Sequence, residues 1–273
     1  MEQHELSIEG CKFTWWMRGQ GPAILFIQGC GVQGNAWLPQ VEKLAEIYTC
    51  IWFDNRGMGL SQPTGAKVTV DRMSQDVRCI LEASGHSKAH LVGHSLGGLV
   101  AQRFAVDNPA SVLSLALLCT FSGGKYAAPL TLRMILLGLG TLIGTRRMRR
   151  KGFMKLVLPP GPIDQPDELA DRLGNMFGHD LAEQPAIVKA QLAAMRGENV
   201  TAWLKELKAL PTLVISGRHD PIAPPNSGRI LCDSIPNSRY IEIADASHAL
   251  PITHADEINR LIIEHVATVP SKS

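Results

Sequence analysis

The sequence lacks a strong charge of either sign. Its 273 residues carry a formal net charge of only +2 at pH 7. Proteins that bind nucleic acids or other polyanions usually concentrate basic charge, so we expect no nucleic-acid partner. Hydrophobic residues make up 45% and charged residues 19% of the chain, which is ample for a buried core. The length predicts one large domain, or one domain that carries an insertion.

Signatures of export and of metal binding are also missing. The first ten residues, MEQHELSIEG, are polar and acidic, unlike a signal peptide. The six cysteines form no CxxC pair, and no zinc-ligand spacing occurs. Buried free thiols in a reducing cytosol explain these cysteines better than a disulfide framework. We therefore expect a cytoplasmic protein without a metal.

The sequence has no uninterrupted membrane-spanning run. The apolar stretch Tyr126–Gly144 is about as long as a membrane span, and basic residues follow it. Arg133 interrupts this stretch, several glycines dilute it, and it lies between predicted sheet strands. These features favour a helical cap with one apolar face over a cavity, and we expect no stable membrane insertion.

The chain does contain a regular alternation of strands and helices. The predicted strands are Leu6–Glu9, Lys12–Met17, Ala23–Gln28, Tyr48–Asp54, Ala89–Val92, Val112–Cys119, Thr212–Ser216 and Arg239–Ile243. Helices are predicted from Asn35, as the N-cap, to Glu46, and over Val68–Ser84, Leu99–Asn108, Pro225–Ser234 and Ala255–Val266. This order is typical of an α/β fold with a mostly parallel central sheet covered on both faces.

The middle of the chain breaks this rhythm. Leu130–Ile143 is nearly all apolar, Thr145–Lys151 is basic, and Asp164–Gly197 has the pattern of two or three helices. No strand pattern occurs there. We therefore predict a core domain formed by residues 1–120 and 200–273, with a helical cap, or lid, inserted at residues 121–199.

A Gly-x-Ser-x-Gly motif at residues 93–97 joins a predicted strand to a predicted helix. This context predicts a nucleophile elbow, in which a tight turn strains the backbone of Ser95 and exposes its hydroxyl above the sheet edge. The backbone N–H of Leu96, at the start of the helix, would then face a developing oxyanion. The competing interpretation is an ordinary glycine-rich turn.

A nucleophilic serine needs a base, and the base needs an orienting carboxylate. Asp220 and His248 each follow a predicted strand, in the chain order Ser, Asp, His that suits such an elbow. His219 is the rival base, but it would leave the acid unexplained. Asp245 is the rival acid, although only three residues separate it from His248.

The other histidines are placed less well for this role. His4, His86 and His90 are expected before strands, at the wrong end of the sheet. The predicted cap contains His179, and the last helix contains His254 and His265.

The loop after the strand Ala23–Gln28 allows three interpretations. Gln28-Gly29-Cys30-Gly31 predicts a second oxyanion donor at the Cys30 N–H, or simply a tight turn. The run 29–34 also matches G-x-G-x-x-G, with Asp54 where a ribose-binding acid would lie, which would indicate a nicotinamide oxidoreductase. The strand pair before the motif and the complete serine constellation downstream argue against that alternative.

Four motifs in order resemble the α/β-hydrolase-fold family, over almost the whole chain. They are D-x-R-G-x-G-x-S at 54–61, G-x-S-x-G-G at 93–98, G-x-x-D-x-x-x-P at 217–224 and Ser-His at 247–248. The chain is most similar to small esterases, enol-lactone hydrolases and cofactor-free haloperoxidase-like members. The resemblance implies a three-layer sandwich with Ser95 as nucleophile, Asp220 as acid and His248 as base, and no cofactor.

One departure from the family lies at Gln28. The family usually has His-Gly where this chain has Gln28-Gly29, and that histidine braces the oxyanion loop. A glutamine can still hydrogen-bond, but it carries no charge.

The expected function is that of a carboxylesterase or lactonase acting on a small or medium apolar substrate. Apolar cap residues favour such a pocket: Leu132, Met134, Leu136, Met154 and Met176. A carbon–carbon bond hydrolase is an alternative, with Arg56 or Arg133 holding a ligand carboxylate. A slow-turnover ligand sensor is another. Both a monomer and a homodimer are compatible with the sequence.

Overall fold

The computed structural model describes residues 1–126 and 131–269, and its centre is an eight-stranded sheet. The strands are β1 (Glu2–Ile8), β2 (Cys11–Arg18), β3 (Ala23–Ile27), β4 (Thr49–Phe53), β5 (Ala89–His94), β6 (Val112–Leu118), β7 (Thr212–Gly217) and β8 (Ser238–Ile243). Their order across the sheet is β1-β2-β4-β3-β5-β6-β7-β8. The pairs β1–β2 and β2–β4 are antiparallel and all others are parallel, which confirms the predicted α/β class.

Helices flank this sheet. They are α1 (Leu38–Leu44), α2 (Val70–Ala83), α3 (Leu96–Asp107), α4 (Leu132–Leu142), α5 (Arg146–Val157), α6 (Pro166–Phe177), α7 (Val188–Gly197), α8 (Pro225–Ser234), α9 (Leu250–Thr253) and α10 (Ala255–Ala267). Short 3-10 helices cover Gly34–Trp37, Pro109–Ser111, Gly124–Tyr126 and Thr201–Ala209. The first overlaps the helix predicted from Asn35, and the other three were not predicted.

The apolar strands predicted to be buried on both faces form the main core. Every residue of β3, β4 and β5 is buried, as expected for central strands of a sheet covered on two sides. All six cysteines are free, as the sequence predicted.

Two local predictions were wrong. Asn35 does not cap α1, because a 3-10 helix precedes α1 and the Asn35 Oδ1 accepts a hydrogen bond of 3.1 Å from the Trp52 Nε1–H of β4. His4 and His90 lie inside β1 and β5 rather than before strands.

Helices α4 to α7 fill the segment between β6 and β7, where the sequence predicted helices. Two of them, α6 and α7, account for Asp164–Gly197. An isolated bridge between Gly123 and Asn199 joins the two ends of this segment. Leu130 and its three preceding residues, at the start of the predicted apolar run, lie outside the described residues. Within the described ranges, no helix is both long enough and apolar enough to cross a membrane.

Candidate active site

Ser95 occupies a sharp turn between β5 and α3. Its backbone has φ 53° and ψ −119°, a conformation that non-glycine residues rarely adopt. A Cβ added to Gly93 would come within 2.6 Å of the Gly97 carbonyl oxygen, and one added to Gly97 would collide with the Ile27 carbonyl. The start of α3 therefore lies too close to β5 and to β3 for a side chain at either position, as an elbow requires.

Hydrogen bonds to β6 and the loop after it fix this turn. The Ser95 N–H donates to the Leu118 carbonyl over 3.0 Å, and the Thr120 hydroxyl donates to the Ser95 carbonyl over 2.6 Å. Ser95 is only 5% exposed. The strained backbone is thus held at both its N–H and its carbonyl by the neighbouring strand and loop.

The loops that carry the other predicted residues leave the sheet at the same edge. The Cys119 N–H donates to the Ile215 carbonyl over 2.8 Å, and the Arg218 N–H donates to the Ile243 carbonyl over 3.0 Å. Strand pairing therefore continues from β6 across β7 to β8 just beyond the strand ends. This arrangement brings the loops after β7 and β8 together.

Asp220 and His248 meet in these two loops. The His248 Nδ1 lies 2.7 Å from the Asp220 Oδ2, and both side chains are buried. The other carboxylate oxygen, Oδ1, accepts the N–H groups of Ile222 and Ala223 at 2.8 and 2.9 Å. A carboxylate at Nδ1 keeps the proton there and leaves Nε2 free to accept one.

The two rival residues lie elsewhere. The Asp245 side chain is 85% exposed and pairs with His254 at 3.3 Å. His219 contributes main-chain bonds to the loop: its N–H donates to the Ala246 carbonyl, and its carbonyl accepts from the Ser247 hydroxyl. The geometry therefore favours the Asp220–His248 pair over either rival.

His94 is a residue that the sequence analysis overlooked. Its Nε2 lies 2.9 Å from the His248 carbonyl oxygen, its Nδ1 lies 3.1 Å from the Gln28 Oε1, and its ring centroid is 4.8 Å from that of His248. Burial lowers the pKa of His94 to about 3, so the ring is neutral near pH 7. Its position beside Ser95 in the elbow was the available signal.

Gln28 links this histidine to the predicted oxyanion loop. The Gln28 Oε1 accepts the Gly29 N–H over 2.7 Å, which identifies that atom as the amide oxygen. The ring of His94 thus lies between two acceptors, and a neutral imidazole donates to only one of them. Gln28 thus fixes Gly29 through an uncharged side chain.

The loop after β3 packs directly against the elbow. A Cβ added to Gly29 would lie 3.2 Å from the Ser95 Cβ. The Gly29 N–H donates to the Gln28 Oε1, and the Gly31 N–H donates over 2.8 Å to the Oε1 of the buried Gln191 of α7. Within the described residues, the Cys30 N–H between them has no acceptor. This is the loop position that the sequence predicted as a donor.

The Cys30 thiol is not suited to act as a nucleophile. Burial raises its pKa to about 12, so the sulfur stays protonated near neutral pH. Its Sγ lies 3.9 Å from the Val188 carbonyl of α7.

The helical segment touches both candidate catalytic loops. The Gln33 N–H donates to the Phe177 carbonyl at the end of α6 over 3.1 Å, and His179 Nε2 lies 2.9 Å from the Gly31 carbonyl. On the other side, the N–H of Ala249, next to His248, donates to the Val157 carbonyl at the end of α5 over 2.9 Å.

Apolar contacts reinforce these bonds. A buried cluster joins Val32 and Ala249 to side chains of α5 and α6, including Met154 and Phe177. Of the cap residues predicted to line a pocket, Met154 is buried in this cluster and Met176 packs against it, whereas Leu132 and Leu136 are 73% and 60% exposed. The last two do not line a buried pocket.

The structure disfavours the two charged anchors proposed for a carbon–carbon bond hydrolase. Arg56 is fully buried and its guanidinium pairs with Asp76. Arg133 lies on the exposed surface of α4, beside Lys151 and Lys155. Within the described residues, neither arginine contacts Asp220 or His248.

Asp54 is equally unavailable to a dinucleotide. Its Oδ1 accepts the Gly34 N–H over 2.7 Å and its Oδ2 accepts the Leu60 N–H over 2.8 Å, in a side chain 1% exposed. The carboxylate therefore ties the loop after β3 to the 54–61 turn and has no oxygen facing a ribose.

Cys119, Asp220 and His248 form one tight group in which the sulfur, oxygen and nitrogen atoms lie within 4.8 Å of one another. Burial raises the pKa of the Cys119 thiol, so it stays a neutral neighbour of the carboxylate. The Asp220–His248 hydrogen bond already joins two members of this group, which does not suit a metal ion.

Comparison with known proteins agrees with this architecture. The family described as alpha/beta hydrolase fold matches residues 22–255. A protein of Variovorax paradoxus strain S110 that is named as a carbamate hydrolase, RutD, is 30% identical over 253 residues, covering 91% of this chain and 93% of the relative.

Solved structures with the same fold are also found. The enol-lactonase of Burkholderia xenovorans LB400 superposes with a TM-score of 0.79 at 21% identity, covering 97% of this chain and 100% of that one. A thermophilic esterase of Thermogutta terrifontis gives 0.78 at 22% identity, with 98% and 99% coverage.

Proposed function

The chain belongs to the alpha/beta hydrolase fold family, and we propose that it is a serine hydrolase that cleaves a carboxylic ester or lactone. The observation that carries this proposal is the 2.7 Å bond between Asp220 and His248 at the sheet edge where Ser95 sits on its strained turn. A serine at this elbow suits acyl transfer.

In the proposed first half-reaction, His248 Nε2 takes the hydroxyl proton of Ser95 while the Oγ attacks the substrate carbonyl carbon. The N–H groups of Cys30 and Leu96 hold the resulting oxyanion. The intermediate collapses to an acyl-enzyme, and His248 gives its proton to the leaving alcohol.

In the second half-reaction, His248 removes a proton from water, which attacks the acyl carbon. Collapse of that intermediate releases the carboxylic acid and returns the proton to Ser95. This sequence uses only side chains and backbone N–H groups of the chain, with no metal or organic cofactor.

We also propose that residues 121–199 act as a cap over this site and that the substrate is apolar. The cluster of Met154, Phe177, Val32 and Ala249 supports this, because it places apolar side chains between the helical segment and both catalytic loops. The free thiols are compatible with a cytoplasmic location, which we retain as part of the proposal.

A carbamate is the second candidate substrate. The 30% identical relative is named for that activity, and a carbamate carbonyl can be attacked by the same serine. Hydrolysis of a carbamate yields carbamic acid, which breaks down to carbon dioxide and an amine or ammonia, whereas an ester or lactone yields a stable carboxylic acid. Measurement of released amine or ammonia therefore separates the two candidates.

The test is a chain-length series of p-nitrophenyl esters, measured on the wild type and on Ser95→Ala. We expect hydrolysis that favours short to medium acyl chains and that Ser95→Ala abolishes. Ser7→Ala removes an exposed serine and serves as the matched control. Full hydrolysis by Ser95→Ala, with the fold verified by circular dichroism, would refute the nucleophile assignment.

A further inference from the structure

Helix α4 carries a row of exposed aliphatic side chains. We name this row, together with Ile143 directly after the helix, the α4 face; it consists of Leu132, Ile135, Leu136, Leu139, Leu142 and Ile143. Each of these side chains is between 44% and 73% exposed. Their spacing of three and four residues puts them along one side of the helix.

The opposite side of α4 is already packed. Thr141 is the one buried residue of the helix, and Gly140 meets Gly152 of α5 so closely that a Cβ on Gly152 would collide with the Gly140 carbonyl. The two helices therefore form a tight hairpin that cannot rotate to bury the α4 face. A patch of this kind on a soluble surface usually marks a binding surface.

The charged residues of the hairpin itself all have a single sign. The hairpin, residues 131–157, contains seven basic residues and no acidic one. Arg146, Arg147 and Arg150 pair with aspartates of the neighbouring segment. Within the described residues, Arg133, Arg149, Lys151 and Lys155 have no acidic partner.

Three of these cations border the apolar surface directly. Arg133, Lys151 and Lys155 line a groove of about 700 Å³ together with Leu132, Leu136 and Met148. Aliphatic side chains edged by unpaired cations are the pattern of a helix that lies in the interface of an anionic membrane.

We propose that the α4–α5 hairpin docks this protein peripherally onto an anionic lipid surface. The aliphatic side chains of the α4 face enter the boundary between headgroups and acyl chains, and Arg133, Lys151 and Lys155 contact the lipid phosphates. A second copy of the chain fits less well, because two such hairpins face to face would oppose cations to cations. The proposal does not depend on the reaction proposed above.

The test is flotation of the purified protein with vesicles of phosphatidylcholine alone or of equal parts phosphatidylcholine and phosphatidylglycerol. We expect the wild type to float with the anionic vesicles, to stay behind with the neutral ones, and to detach as salt is raised. Ile135→Glu/Leu136→Glu is expected to abolish flotation, and Ile47→Glu, at another exposed apolar residue, is expected to leave it unchanged.

The cations are tested by Lys151→Gln/Lys155→Gln. Each removed charge is expected to weaken binding to anionic vesicles about fivefold. Lys67→Gln, an exposed lysine outside the hairpin, is the matched control and should bind as the wild type does.

Two outcomes would overturn the proposal. One is a flotation result: the wild type fails to float with anionic vesicles, or the Ile135→Glu/Leu136→Glu variant floats as well as the wild type does. The other is light scattering that finds a wild-type dimer and a monomeric Ile135→Glu/Leu136→Glu variant, since the α4 face would then be a contact between copies. These side chains are exposed, so circular dichroism should report an intact fold in every variant.

Discussion

At the residue scale, the site depends on side chains that act through other side chains. His94 touches the main chain of the proposed base and the side chain of Gln28, which in turn holds Gly29 of the proposed oxyanion loop. The two halves of the proposed machinery, proton transfer and oxyanion binding, are thereby joined through one buried ring.

The first prediction concerns the acid. Asp220→Asn should lower kcat by about 10⁴-fold, because an amide no longer holds His248 in the tautomer that leaves Nε2 free. Steady-state kinetics on a p-nitrophenyl ester measure this.

Asp245→Asn is the matched control for that variant. Its side chain is exposed and pairs with His254, so activity should be unchanged. Loss of activity in Asp245→Asn with retention in Asp220→Asn would transfer the role of the acid to Asp245.

The second prediction concerns His94 as a positioning residue. His94→Ala should lower kcat by up to about 10²-fold with little change in KM, because small displacements of reacting groups cost that much. The comparison is the split between kcat and KM for His94→Ala and for His86→Ala, a histidine before β5.

An effect on KM alone would argue against the positioning role of His94. So would equal losses in His94→Ala and His86→Ala.

The residues with motifs could be predicted, and the others could not. Ser95, Asp220 and His248 follow strands in a known order, so chain position alone pointed to one sheet edge. His94 occupies a variable position of the elbow motif and Thr120 carries no motif, and their contacts lie 154 and 25 residues away along the chain. Only the folded arrangement reveals such partners.

At the scale of elements, helix α7 supports the loop after β3. Gln191 is completely buried and its Oε1 accepts the Gly31 N–H. Helix α7, which belongs to the proposed cap, therefore holds the backbone that flanks Cys30.

The third prediction follows from this contact. Gln191→Leu leaves the Gly31 N–H without its acceptor, so the loop should shift and kcat should fall about tenfold or more, since one oxyanion donor is worth 10²–10³ in rate. Ester hydrolysis by the purified variant measures the effect.

Gln184→Leu alters an exposed glutamine of the same segment and is the control. An unchanged kcat in Gln191→Leu would show that the contact from α7 does not hold the proposed oxyanion loop in its working geometry.

Boundaries of helices could be predicted where local sequence sets them, and were missed where a distant residue does. The amphipathic helices α2, α8 and α10 were predicted within two residues, because their local periodicity matches their burial. The start of α1 was missed because Asn35 bonds to Trp52 on a neighbouring strand instead of capping the helix.

At the scale of the whole molecule, buried histidines make stability depend on pH. Burial lowers the pKa of both His90 and His265 to about 4, against an ordinary 6.5. Between these values the unfolded chain binds protons that the folded chain does not. The free energy of unfolding should therefore fall as the pH is lowered from about 6.5 to about 4.

The fourth prediction concerns the contribution of one buried histidine to this pH dependence. Each of the two histidines accounts for up to about 3 kcal/mol of the fall in the free energy of unfolding. The raised pKa values of the buried Asp54 and Asp76 act in the opposite direction, so the wild type alone does not isolate the histidines.

Guanidinium unfolding of the wild type and His90→Gln, at neutral pH and near pH 4, measures the difference. His90→Gln should lose less stability on acidification. An identical pH dependence in both proteins would contradict the assignment.

The parallel sheet is the reason why the meeting of distant loops could be predicted from the sequence. Strands β5, β7 and β8 run in the same direction, so their carboxyl ends lie at one edge. The contacts of helices α5 to α7 with both candidate catalytic loops join residues up to 160 positions apart, and no local pattern encodes them.

The central claim is that Ser95 forms a covalent acyl-enzyme, and trapping by a fluorophosphonate measures this most directly. Intact-protein mass spectrometry of the wild type should find one adduct, peptide mapping should locate it at Ser95, and Ser95→Ala should remain unlabelled. An adduct on any other residue, or equal labelling of Ser95→Ala, would contradict the account.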